Sequence, residues 1–85
     1  MEAEKQRVFD VVKSNLLKVL IDVKPEQVTI DKSMTDLGAN SVDRVEVVMY
    51  SVEELGIDVP RTELHGAKNL AGLVDILLKY TTKRA

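Results

Sequence analysis

The sequence predicts an all-α fold, a small four-helix bundle with a long loop between helices one and two and a short third helix. The chain has 85 residues and is 45% hydrophobic, which suffices for one small core, so residues 1–85 are expected to form a single domain. With one Phe, two Tyr and no Trp, the core must be built from Leu, Val, Ile and Met, which suits helix packing. Apolar residues also recur at helical steps in three separate segments.

The first helix is predicted from about Glu4 to Leu20. Its apolar residues recur at steps of three and four, as on one face of an amphipathic helix. They are Val8, Phe9, Val12, Leu16, Val19 and Leu20. The segment should end before Lys24 and Pro25, because proline disfavours helical geometry in the residue before it.

A long ordered loop is expected over residues 22–40, where no helical period is sustained. Four apolar side chains should face inward and pin the loop to the core: Val28, Ile30, Met34 and Leu37. Loops of this length are uncommon in compact domains unless they are functional. The end of this loop is therefore a candidate functional region.

The second helix has a strong start signal, since Gly38 can relieve backbone strain and Asn40 can cap free amide groups. Asp43 then lies where negative charge favours the helix dipole, and Gly56 ends the helix. The apolar stripe expected to face the core comprises Val42, Val45, Val48, Met49, Val52 and Leu55. The opposite, displayed face is expected to carry Asp43, Val47, Tyr50 and Glu54, with Glu46 at its edge.

The third helix is predicted as a single short turn from Pro60 to Leu64, closed by Gly66, because proline is favoured at the first helical position. Asn69 can cap the last helix. Its apolar residues are Leu70, Leu73, Val74, Leu77 and Leu78, and its basic residues Lys79, Lys83 and Arg84 lie near the favourable C-terminal end.

Composition and charge exclude several classes of protein. Without cysteine, the chain has no disulfide, no thiolate metal site and no thiol of its own. The N-terminus lacks a signal-peptide pattern and no apolar run could span a bilayer, so a cytoplasmic location is expected. Formal charge is 0 over residues 1–32, −5 over 33–58 and +3 over 59–85. The acidic middle would attract a cationic partner surface and repel nucleic acid, although an ordinary solvated face explains the same charges.

Catalysis by this chain alone is not expected. The one histidine, His65, has no cysteine, serine or carboxylate clearly paired with it and is interpreted as a surface or hinge residue. Glu46, Glu53 and Glu54 lie near one another on one helix, but general acid and base roles would need a cleft. No metal-ligand spacing and no phosphate loop are present.

Ser41 is the candidate for chemistry. It follows the capping residue Asn40 at the start of a helix, beside free amide groups where a phosphate diester is favoured, although Asp43 and Glu46 oppose this slightly. Such a serine is accessible but not activated, so it suits modification by another enzyme. From the residues alone an alternative stays open, in which Ser41 only helps Asn40 to cap the helix.

Residues 36–43, which read DLGANSVD, resemble the attachment motif of acyl carrier proteins, and the likeness extends through Val45, Glu46 and Met49. The chain length and helix order also fit that family. The resemblance implies that a phosphopantetheinyl transferase attaches a covalent 4'-phosphopantetheine to Ser41, with no catalytic residue and no metal site in the carrier. It further implies that basic partner enzymes recognise the acids of the second helix. These are Asp43, Glu46, Glu53 and Glu54.

Several residues depart from the usual family pattern, which has Asp-Ser-Leu around the serine. Asn40 and Val42 flank Ser41 instead, Arg44 replaces a small or polar residue, and Val47 and Tyr50 add apolar surface to the expected recognition face. Either these departures are drift or they suit a partner that ordinary fatty-acid carriers do not meet.

Three segments, SVDRVE at 41–46, VPRTEL at 59–64 and GAKN at 66–69, resemble the freestanding donor carriers of polyketide β-branching cassettes. That resemblance implies an acyltransferase that loads malonyl and a decarboxylase that converts it to acetyl. A hydroxymethylglutaryl synthase-like enzyme then adds the acetyl unit to a polyketide on a separate acceptor carrier. Arg44, Val47, Tyr50 and Arg61 become candidate partner contacts.

Two alternatives to the donor carrier stay open. One is a general fatty-acid or polyketide carrier, and the other is a helical interaction module without covalent cargo. A monomer is expected, since no large apolar patch besides Val47 and Tyr50 is predicted on the surface. Neither nucleic acid nor a membrane is an expected partner.

Overall fold

The computed structural model describes residues 2–64 and 66–83. It contains four helices, which are α1 (Glu2–Val19), α2 (Ser41–Leu55), α3 (Arg61–Leu64) and α4 (Leu70–Lys83). The predicted all-α class, with its long loop and short third helix, is confirmed. One 3-10 turn, Pro25–Gln27, lies in the loop and was not predicted. His65 and Arg84 lie outside the described residues, and none of the described helices is long and apolar enough to cross a membrane.

The hydrophobic core forms where α1 packs against α2 and α4. Its most completely buried apolar side chains come from all three long helices: Val8, Val12, Leu16, Val47, Leu70, Val74 and Leu77. The stripes predicted for the first and last helices therefore do face the core. Phe9 packs only partly buried against this cluster, so aliphatic side chains supply most of it, as composition predicts.

The long loop is attached to the start of α4 by backbone hydrogen bonds. The Lys32 carbonyl accepts from the Leu70 N–H and the Ile30 carbonyl accepts from the Ala71 N–H, both at 2.8 Å. These bonds satisfy amide groups that the first turn of a helix leaves without partners. Val28 is buried as predicted. The side chain of Ile30, which was expected to face inward, is 37% exposed, and the residue is held through its backbone carbonyl instead.

Helix α2 is rotated relative to the prediction. Val47, expected on the displayed face, is fully buried, whereas Val42, Val45 and Met49, expected in the core, are 65%, 53% and 52% exposed. The face packed on α1 includes Ser51, whose polarity hides this row from a periodicity argument. Two predictions about α2 are therefore wrong: Val47 is not available for a partner contact, and the apolar stripe does not face the core throughout.

Ser51 can be buried in that row because its hydroxyl has partners. It donates to the Val47 carbonyl at 2.7 Å, and its oxygen lies 3.4 Å from Asn15 Nδ2. Asn15 is itself buried and also donates to the Val11 carbonyl and to Glu54. Buried polar groups are tolerated when they are hydrogen-bonded in this way.

Helix α3 is attached to α4 through Glu63. The Glu63 carboxylate lies 2.9 Å from Lys79 Nζ and accepts a hydrogen bond from the Tyr80 hydroxyl. That bond raises the pKa of the Tyr80 phenol, because the carboxylate stabilises the protonated form. Asn69 caps α4 as predicted, accepting from the Gly72 N–H at 2.9 Å.

Candidate functional site

Ser41 is the first residue of α2 and is exposed. A capping box precedes the helix, since Asn40 Oδ1 accepts from the Asp43 N–H at 2.8 Å and Asp43 Oδ2 accepts from the Asn40 N–H at 3.3 Å. Within the described part of the chain, nothing accepts from the N–H groups of Ser41 and Val42. The serine hydroxyl therefore lies beside two amide donors that an anion could use.

The turn before Ser41 is held by short-range hydrogen bonds. Asp36 accepts from the Ser33 N–H at 3.1 Å, and the Ser33 hydroxyl accepts from the Asp36 N–H at 2.9 Å. Gly38 has φ 98°, a left-handed conformation that favours glycine, which allows the chain to turn into the cap. The buried side chain of Ala39 anchors the turn, so the serine projects from a well-defined helix start.

Ser41 opens onto a groove of about 660 Å³, which we call the Ser41 groove. The groove lies between α2, α3, the start of α4 and the loop. Its lining residues are Ser33, Met34, Thr35, Ser41, Arg44, Val45, Val48, Met49, Arg61, Leu64, Ala67, Lys68, Asn69, Leu70 and Leu73. Apolar side chains form most of this surface and polar side chains form the rest. The groove can therefore receive a chain of mixed polarity.

Within residues 2–64 and 66–83, three of the residues that line the Ser41 groove are cationic and none is acidic. Arg44 comes from α2, Arg61 from α3 and Lys68 from the connection to α4. Arg44 is placed by Thr35, since its Nη1 donates to Thr35 Oγ1 at 3.4 Å. The groove therefore carries positive charge in a protein whose formal net charge is −2.

Three of the four acids of α2 lie on a different surface, the α1–α2 groove of about 730 Å³. Its lining residues are Asn15, Lys18, Val19, Glu46, Tyr50, Glu53 and Glu54. Tyr50 is 46% exposed, as predicted. One polar contact orders this surface, because Asn15 Nδ2 donates to Glu54 Oε1 at 3.2 Å.

The structure separates the predicted site residues into two groups. Arg44 and Arg61, predicted as partner contacts, line the groove beside Ser41, whereas Glu46, Tyr50 and Glu54 line the α1–α2 groove. Asp43 lines neither groove and takes part in the capping box. Val47 belongs to neither, because it is buried.

Three residues of the Ser41 groove were not predicted as site residues from the sequence. They are Leu64, Lys68 and Leu73. They reach the Ser41 groove only because α3 and α4 fold back beside α2. Lys68 lies in the GAKN segment, so its charge next to the cap of the last helix was the available signal. Nothing local distinguishes Leu73 from a core residue, since it is buried as well. No group of three or more metal-ligating side chains occurs among residues 2–64 and 66–83.

Comparisons with known proteins agree with this geometry. A family model described as "Phosphopantetheine attachment site" matches residues 14–77, which include Ser41 and its groove. A polyketide biosynthesis acyl carrier protein of Bacillus subtilis is 36% identical over 74 residues, covering 87% of this chain and 90% of the relative. An acyl carrier protein of Clostridium perfringens is 30% identical over 77 residues, covering 89% and 100%. One of Campylobacter hominis is 39% identical over 71 residues, covering 82% and 85%.

Proposed function

From the premise that this chain belongs to the acyl carrier proteins of the phosphopantetheine attachment family, we propose that Ser41 bears the arm of a donor carrier for polyketide β-branching. The family relationship makes the chain a carrier, acted on by other enzymes, rather than an enzyme itself. Over residues 1–85 it forms one acyl carrier domain. The observation that carries the attachment proposal is the exposed Ser41 at the first position of α2, opening onto a groove.

The residues around Ser41 fit a phosphopantetheine group. The amide donors of Ser41 and Val42 suit a phosphate diester, and the groove beside the serine combines apolar walls with cations. No described side chain hydrogen bonds to the Ser41 hydroxyl, so the serine depends on the transferase for activation. In the transfer, the Ser41 oxygen bonds to the phosphorus of coenzyme A's pantetheine phosphate. The adenosine bisphosphate leaves, and the transferase takes the hydroxyl proton.

Once attached, the group supplies a thiol that holds acyl units as thioesters, and this chain has no cysteine of its own to do so. For the donor role, the cargo is malonyl from an acyltransferase, which a decarboxylase converts to acetyl. A hydroxymethylglutaryl synthase-like enzyme receives the acetyl unit. The 36% identity to a carrier named for polyketide biosynthesis supports this assignment, together with the sequence pattern around Arg44 and Pro60.

The surface that partner enzymes recognise is the acidic outer part of α2. Glu46, Glu53 and Glu54 are exposed there beside the half-exposed Tyr50. Lys18 is the only cation among the described residues that line the same groove. A basic enzyme surface is attracted to such a face over distances of several ångströms, which speeds association. Asp43 contributes less, because its carboxylate accepts a hydrogen bond within the capping box.

Attachment is tested by incubating the full chain with a phosphopantetheinyl transferase and coenzyme A and measuring its mass. The wild-type chain should gain the mass of one phosphopantetheine, and Ser41→Ala should gain none. Ser14→Ala is the matched control, since Ser14 is an exposed serine on α1, outside the Ser41 groove. No gain on the wild type, or a gain that persists in Ser41→Ala, contradicts the attachment proposal.

The donor role is tested by acetyl transfer from the loaded carrier to a hydroxymethylglutaryl synthase-like enzyme. Arg44→Ala should impair this step while leaving phosphopantetheine attachment unchanged, because Arg44 distinguishes this carrier from ordinary ones. Equal transfer by wild type and variant would remove Arg44 from the choice of donor. No acetyl transfer from the loaded wild-type carrier would overturn the donor role.

A general fatty-acid or polyketide carrier is the second candidate. It is supported by the relatives of Clostridium and Campylobacter, which are named only as acyl carrier proteins, and by the apolar walls of the Ser41 groove. The two candidates differ in cargo. A general carrier would be a good substrate for enzymes that extend long acyl chains, whereas the donor carrier would be a poor one.

A further inference from the structure

We propose that the Ser41 groove selects an acyl group that ends in a carboxylate, such as malonyl, through the three cations Arg44, Arg61 and Lys68. This rests on the proposed function, because the acyl group must hang from Ser41. Among the residues that the structure describes, none that lines the groove is acidic, although the segment that contributes its α2 wall, residues 33–58, carries a charge of −5. The distribution of charge over α2 thus leaves its groove side cationic, which suits an anionic ligand.

The cations lie on opposite walls of the groove that Ser41 enters. Residues three, four and seven positions after Ser41 share its side of α2, and these are Arg44, Val45 and Val48. Arg61 and Lys68 approach from α3 and from the connection to α4. An acyl group tethered to Ser41 and folded back into the groove therefore meets apolar side chains along its length and positive charge at the sides.

Because the acyl group is tethered to Ser41, weak contacts are sufficient to hold it in the groove. Each of the three cations is exposed, and exposed ion pairs are individually weak because solvent and salt screen them. A covalently attached ligand, however, is present at the high effective concentration of an intramolecular partner. Several weak contacts can therefore shift the arm toward the groove without any tight pocket.

Charge at the end of the acyl group would then control its release. Malonyl carries a carboxylate that the three cations attract. Breaking its carbon–carboxylate bond releases carbon dioxide, and the resulting carbanion takes up a proton to give acetyl, which has no charge for the cations to bind. The groove would therefore retain malonyl and release acetyl to the transfer enzyme. A long neutral acyl chain would make contacts with the apolar walls but would make no ionic contacts.

The phosphate of the arm is a second anion that the same cations could bind. The test therefore compares two loaded forms that share the phosphate and differ only at the acyl terminus. Malonyl and its neutral near-isostere acetoacetyl are attached to Ser41 through non-hydrolysable amide analogues of coenzyme A, each labelled with carbon-13 at the terminal carbonyl. Backbone amide NMR shifts are then recorded for both forms, together with a pH titration of the malonyl carboxylate and the phosphorus-31 shift of the arm.

In the wild-type carrier, the malonyl carboxylate should have a lower pKa than in the free malonyl-pantetheine amide, because nearby cations favour its ionised form. Amide shifts around Val45 and Leu64 should differ between the malonyl and acetoacetyl forms. Arg61→Gln and Lys68→Gln should each remove part of both effects. Lys13→Gln is the matched control, because it loses the same charge from α1, outside the groove, and should leave both effects unchanged.

Two results would overturn the proposal. One is a malonyl carboxylate pKa equal to that of the free amide, with indistinguishable amide shifts for the two loaded forms. The other is that Arg61→Gln and Lys68→Gln change the phosphorus-31 shift equally in the malonyl and acetoacetyl forms and leave the carboxylate pKa unchanged. That result would show that the cations bind the phosphate. Failure to load Ser41 at all would instead overturn the proposed function, so the two failures are distinguishable by mass.

Discussion

Replacing Val47 by alanine tests the rotation of α2. Val47 is fully buried against α1, whereas Val45 is 53% exposed in the Ser41 groove. A valine-to-alanine change deletes about two methylene equivalents at about 0.8 kcal/mol each, and the remaining void adds about 24 cal/mol per Å³. For Val47 the total is about 2 to 3 kcal/mol. Val45→Ala, on a half-exposed site, should cost about 0.5 kcal/mol.

Urea unfolding followed by far-ultraviolet circular dichroism measures both variants against the wild type. In thermal unfolding of a domain of this size, each kcal/mol of lost stability lowers the melting temperature by about 4 to 8 °C. The melting temperature of Val47→Ala should therefore lie well below that of Val45→Ala. The slope of free energy against urea should stay constant if each variant changes stability alone. The hydrophobic pattern of the sequence predicts the opposite order, and a larger loss for Val45→Ala than for Val47→Ala would refute the observed packing of α2.

Three further predictions concern the caps and the attachment of α3. Asn40→Ala removes the oxygen that accepts from the first turn of α2 at 2.8 Å and should cost about 1 kcal/mol in urea unfolding; Asn40→Ser keeps a cap, so equal losses would contradict the capping role. Gly56→Ala places a side chain at φ 68° and should cost about 1 to 2 kcal/mol by the same measurement, and an unchanged midpoint would contradict the left-handed C-cap. The hydrogen bond to Glu63 raises the folded-state pKa of Tyr80 above the ordinary tyrosine value of 10.0. The stabilisation that this bond provides is therefore full below pH 10.0 and is lost as pH rises through the folded-state pKa. Stability should therefore fall more steeply above about pH 10 in the wild type than in Tyr80→Phe, and parallel curves would show that the bond contributes nothing.

Local chemistry made the ends of α2 predictable. Asn40 caps the start of the helix through its side-chain oxygen, and Gly56 ends the helix in a left-handed backbone conformation. Both residues act on groups only a few positions away in the sequence. Such signals do not depend on what the helix packs against. Ser41 was identified in the same way, because its position after the cap and the surrounding motif are both local features.

The buried face of α2 depended on a partner that the pattern could not show. Ser51 can occupy the core row because its hydroxyl donates to the Val47 carbonyl and because Asn15, 36 positions earlier, lies beside its oxygen. Periodicity scores a serine as solvent-facing, so the predicted stripe shifted toward Val42 and Val45. The Ser41 groove was not predicted for a related reason, because it also depends on residues that are distant in the sequence. Arg61 and Lys68 join Ser41 only through the path of the chain around α3 and α4.

The rotation of α2 also decides how variants of Arg44 should be interpreted. Arg44 lines the Ser41 groove, whereas Glu53 lines the α1–α2 groove. Attraction between exposed acids and a basic enzyme acts over distance, so it governs the association rate and weakens with salt. Contacts inside the Ser41 groove act on the carrier's own cargo and should leave that salt dependence unchanged.

Association kinetics at several salt concentrations separate these two roles. Glu53→Gln should slow binding of the loaded carrier to a basic partner enzyme and flatten the salt dependence. Arg44→Gln should instead raise the pKa of the malonyl carboxylate toward that of the free amide, because it removes one of the groove cations, and it should leave the salt dependence of association unchanged. A salt dependence flattened by Arg44→Gln as strongly as by Glu53→Gln would assign Arg44 to enzyme docking. The cationic groove would then lose the residue nearest to Ser41 in sequence, and cargo selection would depend on Arg61 and Lys68 alone.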